Sequence, residues 1–194
     1  KFYSGNKCER VFNNHADTSV TGEDVYPYKY KLLFGRAEEN LENGKDDDKT
    51  YRGVIGLPRV LGMYEDFPFW YTFFDALGFK VILSGPSTFV KYEGALQSVM
   101  SDNICFPAKL VHSHIAELDG RLSKIEHEER YPLAPIIFFP YVIYENKEDE
   151  LTDNSFNCPI VSAYADVINS SMKLHVQLHS PVINFSNIKL LLKQ

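Results

Sequence analysis

Residues 53–88, GVIGLPRVLGMYEDFPFWYTFFDALGFKVILSGPST, decide the fold class. The run Gly53–Leu57 is short, apolar and bounded by Gly and Pro, the form of a strand buried on both faces with its exit loop. From Tyr64 to Leu77 the apolar positions recur at three and four, the period of a helix. Pro68 stands near its start, where a missing N–H costs little. Gly78 follows as a residue that accepts positive φ at a helix end. FKVILS reads as a second strand, GPST as a turn and N-cap, and Phe89–Val99 as a second helix. This makes one β-α-β-α unit, with a right-handed crossover expected.

The pattern continues toward the C-terminus. A helix is expected from about Phe106 to Leu122, then a strand in PIIFFPYVIY and a polar loop over Asn146–Asn157. CPIVSAYADVINSSM gives a short strand and a helix, and PVINF a last strand before a terminal helix. Strands near 53–57, 80–84, 136–143, 159–162 and 181–185 imply an α/β fold, a mostly parallel doubly wound sheet over residues 53–194.

Upstream, residues 1–52 read as an N-terminal arm. Val25–Leu33 (VYPYKYKLL) alternates like a strand, and Tyr30–Tyr51 reads as a long β-hairpin. Its tip is the acidic run Glu38–Lys49, with a helical turn near Ala37–Leu41. Asp46, Asp47 and Asp48 repel one another and bury nothing apolar, so residues 38–50 are expected to be exposed and mobile.

The chain has 194 residues, which suits one domain with an elaborated arm. At 44% hydrophobic and 24% charged residues it can build a core. Twenty Lys and Arg against 26 Asp and Glu leave a net charge of −6, which argues against a nucleic-acid binder. The longest uncharged apolar stretch, Pro132–Tyr144, is about half a bilayer span, so no transmembrane helix is expected. No basic n-region with an apolar h-region is in view at the start, so no signal peptide is expected. Its first residue is Lys1 rather than Met, which reads as a piece of a longer polypeptide. Three widely spaced cysteines without an export signal point to reduced thiols in the cytoplasm rather than a disulfide framework. Fourteen Phe and 12 Tyr point to an aromatic-rich core or a buried interface.

Cys105 (NICFPAK) and Cys158 (FNCPIV) share a local form, with Asn just ahead and Pro just after. A thiol at a helix N-terminus faces free N–H groups, which favour the thiolate that iron–sulfur clusters and zinc require. Against this, Cys is often a buried small hydrophobe, and C-x-x-C is absent. Spacing alone favours structural thiols. Arg59 and Lys109 stand where anions bind in open α/β sheets, or else make ordinary ion pairs. His112 and His114 lie two apart on a helix and point in different directions. In KLHVQLH, His175 and His179 share an exposed face if the segment is a strand, and could ligate a metal only if it is a helix. Tyr64, Phe69 and Trp70 read as core packing.

The run IGLPRVLGMYEDFPFWYTFFDALGFKVILSGPS, followed by SDNICFPAKLVHSHI and NCPIV, resembles an uncharacterised CoA-substrate-specific enzyme activase domain. That domain occurs in proteins related to 2-hydroxyacyl-CoA dehydratase activators. The opening GNKCERVF resembles the stretch that joins an activase module to it. The resemblance spans Gly53 to Met172 and implies an anaerobic setting. It implies an iron–sulfur cluster of the 4Fe–4S type on Cys8, Cys105 and Cys158, with an open or exogenous fourth position. The function implied is low-potential electron transfer or reductive acyl-CoA chemistry. The partners implied are activase-like and dehydratase-like domains of the same long polypeptide, and an acyl-CoA substrate or electron donor. No P-loop is present, so ATP hydrolysis is not expected of this chain. The alternative is a metal-free structural or docking module, with zinc on the same thiolates as a third reading.

Overall fold

Asp24 accepts the Tyr26 N–H and opens helix α1, Tyr26–Glu42. The first arm of the expected β-hairpin is therefore a helix. Its inward face carries Tyr30, Leu33, Phe34 and Ala37, a spacing of three and four that outweighs the local alternation of Tyr and Lys. The computed structural model describes residues 23–42, 50–125, 131–147, 149–151 and 154–193. Cys8 and Asp46–Asp48 lie outside them.

Beyond the arm the α/β expectation holds. The chain forms β1 (Val54–Leu57), α2 (Gly62–Glu65), α3 (Phe67–Ala76), β2 (Lys80–Leu83), α4 (Phe89–Ala95) and α5 (Phe106–Leu122). It continues through β3 (Ile136–Phe138), β4 (Tyr141–Val142), α6 (Pro159–Ser171), β5 (Gln177–His179), β6 (Val182–Ile183) and α7 (Ile188–Leu191). Strands β2-β1-β3-β5 form a four-stranded parallel sheet in that order. The chain steps from β1 to β2 on one side and returns to β3 on the other. The C-terminal ends of β1 and β3 thus flank the switch point where open α/β sheets bind ligands.

The expected strand 136–143 is split by Pro140, and β4 pairs with β6 in the same partner offset as β3 with β5. The two pairs are one parallel ladder, interrupted where Pro140 faces Pro181. A proline lacks the N–H that a ladder bond needs. The expected strand 159–162 is instead the first turn of α6, because Pro159 sits at N1 with Cys158 as cap.

Gly56 faces α5, and a Cβ there would lie 2.8 Å from Leu122 Cδ1. The neighbour of its partner Ile137, Phe138, packs on the other face against Trp70 and Phe74 of α3. Helices therefore cover both faces. Gly78 takes φ 79°, and the bonds Gly78 N–H to Asp75 C=O and Phe79 N–H to Phe74 C=O close α3 as a Schellman turn.

Candidate functional site

Each helix that leads into a parallel strand runs back against it, so α5 and α6 both begin at the C-terminal edge of the sheet. Cys105 is the N-cap of α5 (φ −61°, ψ 147°) and Cys158 the N-cap of α6 (φ −65°, ψ 154°). Pro107 and Pro159 hold the first turns in helical φ. Both thiols are free and exposed. The Cys158 sulfur accepts the Val161 N–H at 3.5 Å, whereas Cys105 caps nothing with its side chain.

The two helices are joined below these caps. Tyr164 of α6 bonds Nε2 of His112 on α5 at 3.0 Å, about two turns along each helix. Between Cys158 and Tyr164 the helix is kinked at Ala163, which takes φ −134° and ψ 18°. Burial, and next the nearby Cys105 charge, push the Tyr164 phenol up. The Lys109 ammonium donates to the Asp102 carbonyl at 2.8 Å and braces the loop that delivers Cys105.

Arg59 is buried at the end of β1. Its Nε donates to the Ser84 carbonyl, its NH1 meets Glu38 of α1 at 2.9 Å, and its guanidinium lies over the Phe34 and Tyr30 rings. The cation is committed to α1 in this structure. Behind it, the Arg59 N–H donates to Ser84 Oγ, which bonds His114 Nδ1 at 2.7 Å, and His114 Nε2 meets Ser87 Oγ at 2.8 Å. Burial depresses the His114 imidazole to about 4, so it is neutral at ordinary pH.

Asp66 was not singled out by the sequence. It holds the N-cap position of α3, yet its backbone is helical (φ −78°, ψ −4°) and its carboxylate makes no cap bond. Burial, with Glu145 and then Glu65 nearby, pushes this carboxyl up to about 7. Leu61, just upstream, takes φ 50° and ψ −138°, a strained conformation for a residue with a branched side chain. The signal available in the sequence was an Asp directly before Phe67-Pro68, a placement that reads as an ordinary cap.

The histidines of KLHVQLH take no helix. His175 precedes β5 and its Nδ1 pairs with Asp119 at 2.8 Å, while His179 ends the strand. On the α3 side of the sheet, Trp70, Phe73, Phe138, Pro181 and Leu191 line an apolar groove of about 670 Å³. Phe69 and Trp70 belong to its aromatic wall. No helix of the described residues is long and apolar enough to cross a membrane.

Among the described residues, no group of three or more His, Cys, Asp or Glu side chains is gathered to hold a metal. Cys105 and Cys158 are exposed thiols at helix N-termini, the donor type that an iron–sulfur cluster takes as thiolate. The third cysteine of that set, Cys8, lies outside the described residues.

No curated protein and no solved structure matches the chain. A family model does, over residues 54–194, which takes in the whole sheet, both described cysteines and Asp66. On that match the chain belongs to the family of the CoA enzyme activase uncharacterised domain.

Proposed function

We propose that this domain holds an iron–sulfur cluster at the C-terminal edge of its sheet and serves low-potential electron transfer or reductive acyl-CoA chemistry. The observation that carries the reading is the pair of matched caps, Cys105 and Cys158, open to approach on two helices that pack together. Cys8 is the third ligand in this reading. A cluster of the 4Fe–4S type supplies one-electron transfer at low potential. The residues of this chain do the rest. Cys105 and Cys158 bind as thiolates, and the positive ends of their helices, with the Val161 N–H already on the Cys158 sulfur, offset the negative charge. Lys109 fixes the approach of the Cys105 loop. The partners proposed are activase-like and dehydratase-like domains of the same polypeptide and an acyl-CoA or an electron donor, in a reducing cytoplasmic setting.

The test is anaerobic reconstitution of the full chain with iron and sulfide. Iron and acid-labile sulfide in equal amounts, with broad visible absorption, are expected from the wild type. Cys105→Ser and Cys158→Ser are expected to abolish iron uptake. A colourless wild-type protein without iron overturns the reading.

A second reading, a metal-free docking module, is favoured by the apolar groove beside α3, rimmed by the exposed rings of Phe69 and Phe73. It predicts that iron is never taken up and that cysteine variants behave as the wild type.

A further inference from the structure

The groove on the α3 side of the sheet, about 670 Å³, has the size of a small-molecule pocket, roughly 300–1,000 Å³. Its aromatic side comes from α3. Phe69 and Phe73, one turn apart, lie stacked with ring centroids 6.2 Å apart and 8° between planes, and both rings are exposed. Trp70 stands edge-on to each of them and packs on Phe138 of β3. Phe138 in turn pairs in the ladder with His179 of β5, and Gln177 lines the groove two residues earlier on the same face. The opposite face of this segment carries Val176 and Leu178, which pack into the core.

The chemistry of the lining selects its guest. Among the described residues the groove is lined by no Lys, Arg, Asp or Glu. A carboxylate or phosphate bound there would lose its water and meet no counter-charge, so the guest is uncharged. Three polar groups remain. Gln177 and His179 are exposed, and no hydrogen bond holds either side chain among the described residues. The Trp70 indole N–H is buried and has no hydrogen-bond partner. Gln177 and His179 can each donate or accept, whereas an indole N–H only donates, so the lining as a whole favours an acceptor oxygen. The exposed rings suit an aromatic body, which they can meet in offset or edge-on contact.

We propose that this groove binds an uncharged aromatic ketone, with its rings against Phe69, Trp70 and Phe73 and its carbonyl oxygen held by the N–H donors of Gln177 and His179 on β5. The apolar body displaces water from the aromatic wall, and the oxygen fixes its direction in the groove. This site is independent of the cluster reading, since it takes no residue from either cysteine-bearing helix. It gives the groove a small-molecule occupant in place of a partner chain.

NMR titration of the full chain with acetonaphthone, ethylnaphthalene and naphthoate tests this, because the three share one ring system and differ in oxygen and charge. Acetonaphthone is expected to bind tightest, with ethylnaphthalene weaker by about fivefold. Naphthoate is expected to be weaker by at least about tenfold. Trp70 is the one tryptophan of the chain, so its indole N–H gives a single resonance, which should shift as the ketone is added. Gln177→Leu combined with His179→Leu changes exposed positions only and should lower the ketone to the affinity of the hydrocarbon. Equal binding of the three probes, tighter binding of naphthoate, or saturation that leaves the Trp70 resonance in place overturns the proposal. A wild type that binds none of them overturns it as well. So does a wild type that sediments as a dimer and dissociates on Phe73→Asp, because a second copy is then the occupant.

Discussion

The Tyr164 phenol lies 3.0 Å from His112 Nε2, and what stands behind the imidazole fixes the direction of that bond. Ser98 gives its hydroxyl proton to the Ala95 carbonyl, so its oxygen accepts from His112 Nδ1–H. Nε2 is then the acceptor, and the Tyr164 hydroxyl donates. Burial lowers the affinity of this imidazole for a second proton, so it stays neutral. A directed chain of hydrogen bonds thus runs from α6 through α5 to the end of α4, beneath the two cysteine-bearing turns.

Tyr164→Phe keeps the ring that packs edge-on against His112 but removes the donor. A buried Nε2 then has no partner, which costs about 1–3 kcal/mol. Denaturant unfolding should show a lower midpoint with an unchanged slope. A midpoint equal to that of the wild type would mean that the hydroxyl is already wet.

His114 makes stability depend on pH. Its folded-state pKa of about 4 lies below the ordinary value of 6.5, so the unfolded chain binds the extra proton first as pH falls. The contribution of the neutral imidazole is complete above pH 6.5 and is lost as pH falls toward 4. Asp66 acts in the opposite sense. Its folded pKa is raised from 3.8 to about 7, so its protonated form favours the native state and that advantage fades between those values as pH rises. Melts of His114→Gln across this range should lose the acid-side decline, and Asp66→Asn should lose the fall toward neutrality. Parallel curves for either variant and the wild type would refute the corresponding shift.

Asp119 ties the end of α5 to the start of β5. One carboxylate oxygen accepts the His175 and Val176 N–H groups at 2.8 and 2.9 Å, and the other meets His175 Nδ1. Asp119→Ala orphans two backbone donors, one of them on the buried Val176, and should cost about 2–4 kcal/mol. Hydrogen exchange should quicken most in β5 and β3. His175→Ala, which keeps both backbone bonds, should cost well under half as much, because that imidazole is largely exposed.

Much of the fold is written in short apolar runs. VIGL, KVIL and IIF became β1, β2 and β3, and Phe106–Leu122 became α5 with the ends expected of it. The errors share a cause. Alternation in VYPYKYKLL, and a four-residue apolar run at CPIV, are each too short to separate a period of two from 3.6. Distant partners decided them: Phe34 found Phe67 and Tyr64, and Pro159 found a place at N1. The candidate site was legible to the extent that both described cysteines stand at helix starts. Asp66 was not legible, because its singularity is the absence of a partner, and only a structure shows which partners are missing.

The docking of α1 gives the last prediction. Phe34 is fully buried against Phe67 and Tyr64, and four residues on, Glu38 meets the Arg59 guanidinium and accepts the Tyr30 hydroxyl. Residues 26–42 lie outside the span that matches the family, yet they cover a cation inside it. Phe34→Ala should cost about 3–5 kcal/mol, the range for deleting a buried aromatic ring. Glu38→Gln keeps the packing and an acceptor but leaves the buried guanidinium without its counter-charge. Because Glu38 itself is partly exposed, the penalty should be nearer 1–2 kcal/mol. The double variant should cost less than the sum of the two, since once α1 is loosened by the loss of Phe34, the Arg59 pair is weakened with it. Strict additivity in a double-mutant cycle would show instead that the ring and the ion pair hold α1 independently.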